Sequence, residues 1–191
     1  MKKISIITPC YNEENNVREC YEAVYKVMNG SLSNYTYEHI FADNASTDGT
    51  LVKLKELAAR DSKVKVISNS RNVGPFRNMW NAMKSASGDA VIPLLPADLQ
   101  DPPSVIPSFV ENWEKGDLVV YGVRANRQES WIMRKLRGTY YRLIRRFADA
   151  VIPLNSGEFL LADIRVIKSI LSVDDAYPYI RGLIAQTAVK S

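Results

Sequence analysis

Lys3-Ile-Ser-Ile-Ile-Thr8 is a short apolar run, and Pro9-Cys-Tyr-Asn-Glu13 follows it before an amphipathic stretch at 15–28. The run has the length and β-branched content of a buried strand. Apolar residues three and four positions apart in the stretch are typical of a helix. Because this strand-then-helix order recurs along the chain, the sequence predicts an α/β fold, with a mostly parallel, Rossmann-like sheet flanked by helices on both faces.

The other predicted elements follow from the same two patterns. Strands are expected at 3–8, 37–42, 64–68, 90–95 and 118–121, and helices at 15–28, 50–60, 78–85 and 103–115. A long basic amphipathic helix is expected at 130–148. His39, Trp80 and Trp113 fall on apolar faces and are predicted to be packing residues. No repeat or flexible linker interrupts the pattern, so we expect one domain over 1–191.

Composition excludes several classes of protein. The 191 residues are 46% hydrophobic and 24% charged, as in an ordinary globular domain. Cys10 and Cys20 have no CxxC spacing, which argues against a disulfide framework or a zinc site and favours a reducing, cytoplasmic compartment. No apolar run reaches the roughly 18 residues of a membrane span, so membrane contact of this chain is expected to be peripheral.

Positive charge is concentrated in one part of the chain, although the net charge is only +4. The basic residues in question are Arg124, Arg127, Arg134, Lys135, Arg137, Arg142, Arg145 and Arg146. Such a cluster suits phosphate groups, acidic lipid headgroups or nucleic acid, and it is equally compatible with a solvated helix face. Charge alone leaves these alternatives open.

Polar segments follow four of the predicted strands, at 9–13, 43–50, 69–74 and 96–101. In open parallel sheets, ligands bind outside the carboxyl ends of the strands, so we expect these segments to line one crevice. Within them, Ser46 and Asp48 are interpreted as capping and turn residues. Glu13 is either a first-turn acid favoured by the helix dipole or a site residue.

Two of these segments offer carboxylates with a chemical use. Asp43 closes an apolar strand, where a carboxylate can accept hydrogen bonds from a base or a ribose hydroxyl. Asp98 and Gln100 provide two oxygen ligands of the kind that Mg²⁺ or Mn²⁺ takes while it also holds substrate phosphates. Pro96 precludes a D-x-D arrangement there, although Asp101 stands close in sequence.

The order of motifs carries a resemblance to a known family. The motifs are Pro9-x-Tyr-Asn-Glu13, Asp43-Asn-Ala-Ser-Thr-Asp-Gly-Thr50, Arg71-Asn-x-Gly74, Ala97-Asp-Leu-Gln-Asp-Pro-Pro103, Tyr121-Gly-Val-Arg124, Gly157-Glu-Phe159 and Arg181-Gly-Leu183. Together they resemble the family 2 inverting glycosyltransferases of GT-A fold, in particular the branch of dolichol-phosphate mannosyltransferase and bacterial polyprenyl-phosphate glycosyltransferases. The resemblance implies sugar transfer from a nucleoside diphosphate sugar to a polyprenyl or dolichyl phosphate.

The resemblance also implies roles for individual residues. Those expected to bind the nucleotide sugar are Pro9, Tyr11, Glu13, Asp43, Asn72 and Asp98. Asp98 and Gln100 would hold Mg²⁺ or Mn²⁺, and Arg124 and Arg134 would bind the acceptor phosphate. The catalytic pair would be Asp98 and Glu158, the latter standing where the family commonly has an aspartate.

Location and partners follow from the same resemblance. Many members continue into membrane helices, so a catalytic domain truncated before such helices is expected. It would act at the cytoplasmic face of the membrane, with the basic helix 130–148 resting on the headgroups. An oligomer is possible, and nucleic acid is not an expected partner.

Two departures from the family pattern keep alternatives open. Asn44 replaces a usual second acid, which suggests altered sugar or base selectivity, and Pro96 replaces a usual aspartate, which bears on metal affinity. Together they keep open the alternative of a catalytically silent nucleotide-sugar-binding module. A further alternative is transfer to a saccharide hydroxyl, which would need a general base such as Glu158.

Overall fold

The computed structural model describes residues 1–123, 156–173 and 180–189, and a six-stranded sheet runs through them. The strands are β1 (Lys3–Cys10), β2 (Thr36–Asp43), β3 (Val64–Ser68), β4 (Ala90–Ile92), β5 (Val119–Val123) and β6 (Ser156–Asp163). Their spatial order is β3-β2-β1-β4-β6-β5. β1 pairs in parallel with β2 and β4, and β2 pairs in parallel with β3. β6 runs antiparallel to both β4 and β5.

Helices cover both faces of this sheet, as the sequence predicts. They are α1 (Val17–Asn29), α2 (Thr50–Arg60), α3 (Pro75–Met83), α4 (Ile106–Glu114), α5 (Ile164–Leu171) and α6 (Ile180–Val189), with a short 3-10 helix at Pro103–Val105. Side chains alternate along the strands, so that Ile6 packs with α1, α2 and α4 while Ile7 packs with α3, α5 and α6. The predicted α/β fold is confirmed.

Prolines shift two of the predicted boundaries. The predicted strand 90–95 ends as a paired strand at Ile92, because Pro93 has no N–H to give to the ladder. The predicted helix 78–85 begins earlier, at Pro75, whose fixed φ suits a first helical position. The predicted helix 103–115 is a 3-10 turn followed by α4. β6, α5 and α6 have no counterpart among the predicted elements, and the predicted helix 130–148 lies outside the described residues.

The aromatic residues predicted to pack are buried. Trp80, on α3, lies in the apolar cluster that contains Ile7. The indole of Trp113 donates a 2.9 Å hydrogen bond to Asp163. The His39 ring is fully buried, with Nε2 2.9 Å from the Thr8 hydroxyl and no partner for Nδ1. Burial lowers the pKa of His39 to about 3, because the apolar surroundings disfavour the imidazolium.

The buried imidazole predicts a pH-dependent loss of stability. Its pKa is lower in the folded chain than in the unfolded chain, so its contribution is complete above pH 6.5 and is lost as the pH falls toward 3. We expect the free energy of unfolding to drop by about 2 kcal/mol between pH 7 and pH 5. Urea denaturation at both values measures it. His39→Gln should be nearly flat over that interval, and equal slopes for the two proteins would contradict the prediction.

A buried carboxylate joins several strands in the amino-terminal half of the sheet. Glu38 is 2% exposed, and its oxygens accept hydrogen bonds from Lys3 Nζ (2.8 Å), the Ser5 hydroxyl (2.6 Å) and the Ser87 amide (2.7 Å). Lys65 forms a second ion pair with it. The ion cluster therefore links β1, β2, β3 and the chain just before β4.

Candidate active site

The carboxyl ends of the four parallel strands lie at one edge of the sheet, which we call the carboxyl edge. β1 pairs with β2 on one side and β4 on the other, so the strand order reverses next to it. Such a switch point is where open α/β sheets bind ligands. The loops that follow are 11–16, 44–49, 69–74 and 93–102, and they overlap the segments 9–13, 43–50, 69–74 and 96–101 that the sequence singles out.

The antiparallel strand β6 also reaches the carboxyl edge. Ala90 pairs with Asp163 and Val91 with Ala162, so the first residues of β6 extend past the end of β4 beside loop 93–102. Glu158 is among them, which places its backbone at the carboxyl edge. Val123, at the end of β5, pairs with Ser156 at the start of β6. The predicted acceptor-binding residues Arg124 and Arg134 lie outside the described residues.

Each of the four loops contains one residue in the left-handed region of backbone space. These are Asn12 (φ 57°), Ala45 (φ 59°), Gly74 (φ 84°) and Leu99 (φ 57°). The conformation costs a residue with a Cβ about 1–2 kcal/mol, and such strain gathers at functional sites. Within the described parts of the chain, every non-glycine residue with positive φ lies at this edge.

Hydrogen bonds join the first two loops. The Asn12 amide donates to the Ser46 hydroxyl (3.0 Å), the Glu13 amide to the Thr50 hydroxyl (2.8 Å) and the Gly49 amide to a Glu14 oxygen (2.6 Å). Ser46 accepts from an N–H of the neighbouring loop and not of a helix, so it is not a cap, while its own amide donates to Asp43 Oδ1 as in a turn.

Asp48 accepts hydrogen bonds from backbone N–H groups at the start of α2. Its carboxylate accepts from the Thr50 amide (3.0 Å) and the Glu14 amide (3.3 Å). Partial desolvation opposes the charge, but the hydrogen bonds from Thr50 and Glu14 hold the pKa of Asp48 below its usual value. Asp48 is thus a turn and capping residue in this structure.

The predicted nucleotide-binding residues differ in exposure. Tyr11 is 47% exposed and Asn72 is also exposed, so both present surface to a ligand at the carboxyl edge. Pro9 and Glu13 are half-buried, and a Glu13 oxygen accepts from the side chain of Asn16 (2.5 Å). Because α1 begins at Val17 and its first-turn acid is Glu19, Glu13 lies ahead of the first helical turn and not within it.

Asp43 is at the edge but almost fully buried. Its side chain is 1% exposed and accepts from the Ser46 amide (3.2 Å) and the Ser68 hydroxyl (3.1 Å). Both carboxylate oxygens thus have partners within the protein, and they hold the ends of β2 and β3 together.

Asn44 connects β2 to loop 69–74. Its side-chain Nδ2 donates to Asn72 Oδ1 (2.9 Å), and its Oδ1 accepts from the Val73 amide (2.9 Å) and from Asn69 Nδ2 (3.2 Å). Beside this loop lies a cleft of about 320 Å³ lined by residues 71–77, including Arg71 and Phe76.

Asp98 and Gln100 lie on the surface of loop 93–102, on either side of the left-handed Leu99. Asp98 Oδ1 accepts from the Gln100 amide (3.2 Å), which fixes the turn. An exposed carboxylate and a side-chain amide so placed fit a Mg²⁺ or Mn²⁺ ion, which in proteins combines one or two such ligands with substrate phosphates and water. Among residues 1–123, 156–173 and 180–189, no group of three or more His, Cys, Asp or Glu side chains could hold a metal ion.

The two cysteines are free and buried, although Cys10 ends β1 at the carboxyl edge. Burial raises the pKa of Cys20 to about 12 and that of Cys10 well above its usual value. Both thiols are therefore protonated at neutral pH, so neither serves as a thiolate nucleophile.

The family model for "Glycosyl transferase family 2" matches residues 5–171, which include all four loops. The chain belongs to glycosyl transferase family 2. The uncharacterized glycosyltransferase YkcC of Bacillus subtilis (strain 168) is 35% identical over 192 residues, which cover 97% of this chain and 58% of that protein. The bactoprenol glucosyl transferase of Shigella phage SfV is 32% identical over 184 residues, covering 96% of this chain and 59% of its own length. The chain thus spans less than two thirds of these family 2 relatives.

Solved structures of glycosyltransferases share the fold. Glucosyl-3-phosphoglycerate synthase from Mycobacterium tuberculosis in complex with UDP has a TM-score of 0.66 at 21% identity, covering 99% of this chain and 66% of that chain. The mannosyltransferase PcManGT from Pyrobaculum calidifontis, in complex with GDP-Man and Mn²⁺, has a TM-score of 0.62 at 19% identity, covering 88% and 46%. The predicted family and the GT-A fold are confirmed.

The structural role of Asn44 at the candidate site was not predicted. Asn44 is 4% exposed and has hydrogen bonds to three residues of loop 69–74, whereas the sequence linked it only to altered selectivity or to a catalytically silent module. The sequence signal for these contacts was the presence of asparagines at positions 69, 72 and 78, whose side-chain amides can form hydrogen bonds with another amide.

Within the described part of the chain, no helix has the length and apolar character needed to cross a bilayer.

Proposed function

We propose that residues 1–191 form one catalytic domain that transfers a sugar, with inversion, from a nucleoside diphosphate sugar to a polyprenyl phosphate at the cytoplasmic face of a membrane. The observation that carries the proposal is the convergence of four polar loops on the switch point of a GT-A sheet, with the exposed carboxylate of Asp98 among them. Relatives named bactoprenol glucosyl transferase support the choice of a polyprenyl phosphate acceptor.

The donor would bind at the carboxyl edge. Tyr11 and Asn72 are exposed there and would contact the nucleotide directly. Pro9 and Glu13 present part of their surface, and Asp43, being buried, would act on the base through the loops that it holds. Solved glycosyltransferases with this fold contain UDP or GDP-Man, which supports a nucleotide at this edge.

Asp98 and Gln100 are the residues that would hold Mg²⁺ or Mn²⁺. When bound, the ion supplies positive charge where negative charge builds on the departing diphosphate. Mn²⁺ in complexes of glycosyltransferases of this fold supports the assignment. The protein's own contribution is to hold one carboxylate and one amide oxygen in a turn that the Gln100 amide fixes.

In the proposed reaction an oxygen of the acceptor phosphate attacks the anomeric carbon of the sugar. The new C–O bond forms on the face opposite the diphosphate, while the bond to the diphosphate breaks and its electron pair leaves with that group. The second pKa of a phosphate monoester is about 6, so the acceptor is ionised at neutral pH and needs no strong general base. Glu158 would therefore orient the acceptor or the donor sugar, while Arg124 and Arg134 would bind the acceptor phosphate.

We further propose that the basic segment 130–148 contacts anionic headgroups and brings the domain to its lipid acceptor. Its arginines and lysines would each contribute up to about 1 kcal/mol of attraction near an anionic surface. The apolar residues interleaved with them would enter the interface.

A titration followed by a transfer assay tests the proposal. We expect either UDP or GDP to bind in a calorimeter with Mn²⁺ or Mg²⁺, and to bind much more weakly in chelator. With the corresponding labelled nucleotide sugar, label should pass to polyprenyl phosphate. No nucleotide binding under any condition would contradict the proposal. Binding without transfer would favour a silent module, and transfer only to a saccharide would favour the hydroxyl-acceptor alternative.

A further inference from the structure

We infer that Asn44 is a positioning residue for donor binding, whose side-chain amide sets the conformation of loop 69–74. The inference rests on the proposed function, because it assigns that loop to the donor. Asn44 itself is 4% exposed, so it presents almost no surface to a ligand. Asn72, which accepts a hydrogen bond from its side chain, is exposed, and so is the neighbouring Arg71.

The orientation of the Asn44 amide is fixed by a backbone group. The Val73 N–H can only donate, so the side-chain atom 2.9 Å from it must be the oxygen Oδ1. Nδ2 therefore points to Asn72, at 2.9 Å from its Oδ1. The Asn72 amide is fixed in the same way, because Oδ1 also accepts from the Gly74 N–H at 2.9 Å.

Position 44 consequently needs one acceptor and one donor on the same planar group. A carboxylate there would still accept from Val73, but its second oxygen would face Asn72 Oδ1, which is also an acceptor. Turning the Asn72 amide over would relieve that contact only at the loss of the Gly74 hydrogen bond. An amide satisfies all of these partners, and an ionised acid does not.

The start of the loop has an anchor besides Asn44. Asn69 Nδ2 donates to Asn78 Oδ1 (2.8 Å), and Asn78 Nδ2 donates to the carbonyl of Ala42 in β2 (2.7 Å). The stretch from Asn72 to Gly74, which leads into α3 and borders the cleft, is held to Asn44 through Asn72 Oδ1 and the Val73 amide. A change at Asn44 should therefore loosen this part of the loop and leave the sheet in place.

The test compares Asn44→Asp with Asn81→Asp. Asn81 is exposed and donates to Asn69 Oδ1 at 3.4 Å, so it is a matched change in the same network away from the cleft. At pH 8 we expect the dissociation constant for UDP or GDP with Mn²⁺, whichever binds the unaltered chain, to rise about tenfold in Asn44→Asp only. Hydrogen exchange of the Val73 and Gly74 amides should also become faster in that variant.

Lowering the pH separates a missing hydrogen-bond donor from general damage. Once protonated, the introduced carboxyl can donate to Asn72 Oδ1 and accept from Val73, as the amide does. Position 44 is buried and would set a carboxylate oxygen against the acceptor Asn72 Oδ1, and both conditions raise the pKa of an introduced carboxyl. Between pH 8 and pH 5, the ratio of the variant's dissociation constant to that of the unaltered chain should therefore fall toward one. Asp43 and Arg71 are the charged side chains nearest in sequence to these contacts, and both are present in all the proteins compared.

Two results would overturn the inference: unchanged affinity and unchanged exchange in Asn44→Asp, or weakened binding with no recovery at pH 5. Failure of the proposed function is recognised separately, because it removes nucleotide binding from the unaltered chain. In that case the exchange of the Val73 and Gly74 amides at pH 8 and pH 5 still decides whether Asn44 positions the loop.

Discussion

Asp98→Asn is expected to lower kcat/KM for sugar transfer about a hundredfold or more. The substitution removes the negative charge that would face the metal and the diphosphate, and preorganised charge at a departing group contributes most to catalysis. The fold should be unaffected, because Asp98 is exposed and an asparagine oxygen can still accept from the Gln100 amide, now 3.2 Å from Asp98 Oδ1. Steady-state kinetics with the nucleotide sugar and Mn²⁺ measure the effect.

Asp117→Asn is the matched control for this experiment. Asp117 is also an exposed aspartate, but it precedes β5 and so lies at the opposite edge of the sheet. We expect its kinetics to equal those of the unaltered chain. If the Asp98 variant had the same kcat/KM as the unaltered chain, Asp98 would not be an active-site residue and the proposed metal ligands would be wrong.

Glu38→Gln is expected to lower the free energy of unfolding by about 3 kcal/mol at pH 7. Burial opposes the charge on Glu38, but Lys3, Lys65, Ser5 and the Ser87 amide outweigh it and lower the pKa of that carboxyl to about 2. The pKa is depressed in the folded state, so the contribution is complete above the unfolded value near 4.5 and is lost as the pH falls toward 2. The variant would leave two lysines facing a neutral amide.

Urea denaturation at pH 7 and pH 3 checks this prediction. The difference between the variant and the unaltered chain should be large at pH 7 and smaller at pH 3, where part of the carboxylate's contribution has gone. Glu111→Gln is the control, since Glu111 is exposed and forms an ion pair with Lys115 one helical turn away. Pairs of that kind add little to stability, so no measurable change is expected. A Glu38 variant as stable as this control would contradict the assignment.

The sequence predicts the first half of the fold closely, because its signals are local. Apolar runs and amphipathic stretches identify β1 to β3 and α1 to α2 within one or two residues. The start of α3 was predicted three residues too late, at 78, although Gly74-Pro75 is the pattern of a helix that begins at a proline. What local periodicity does not contain is the insertion of an antiparallel β6 between β4 and β5, which depends on contacts between distant residues.

The candidate site also has features that local sequence signals predict and features that they do not. The rule that ligands bind beyond strand ends selects all four loops, and the structure brings them to one edge. Exposure could not be predicted, because it depends on which side chains lie above each loop. Asp43 has its oxygens occupied by Ser46 and Ser68, while Asp98, in a similar position after a strand, is exposed.

The pairing of Val123 with Ser156 has a consequence for how such a protein diversifies. The chain leaves the sheet after Val123 and returns to it at Ser156, and these two positions are neighbours at the carboxyl edge. Closing a longer excursion between two such points costs only about 0.6 kcal/mol for each doubling of its length. Recombination or insertion within 124–155 would therefore change the segment that contains Arg124 and Arg134, which are proposed to bind the acceptor phosphate, without altering the register of β5 and β6. A lineage could acquire new acceptors in this way while its donor chemistry stayed the same.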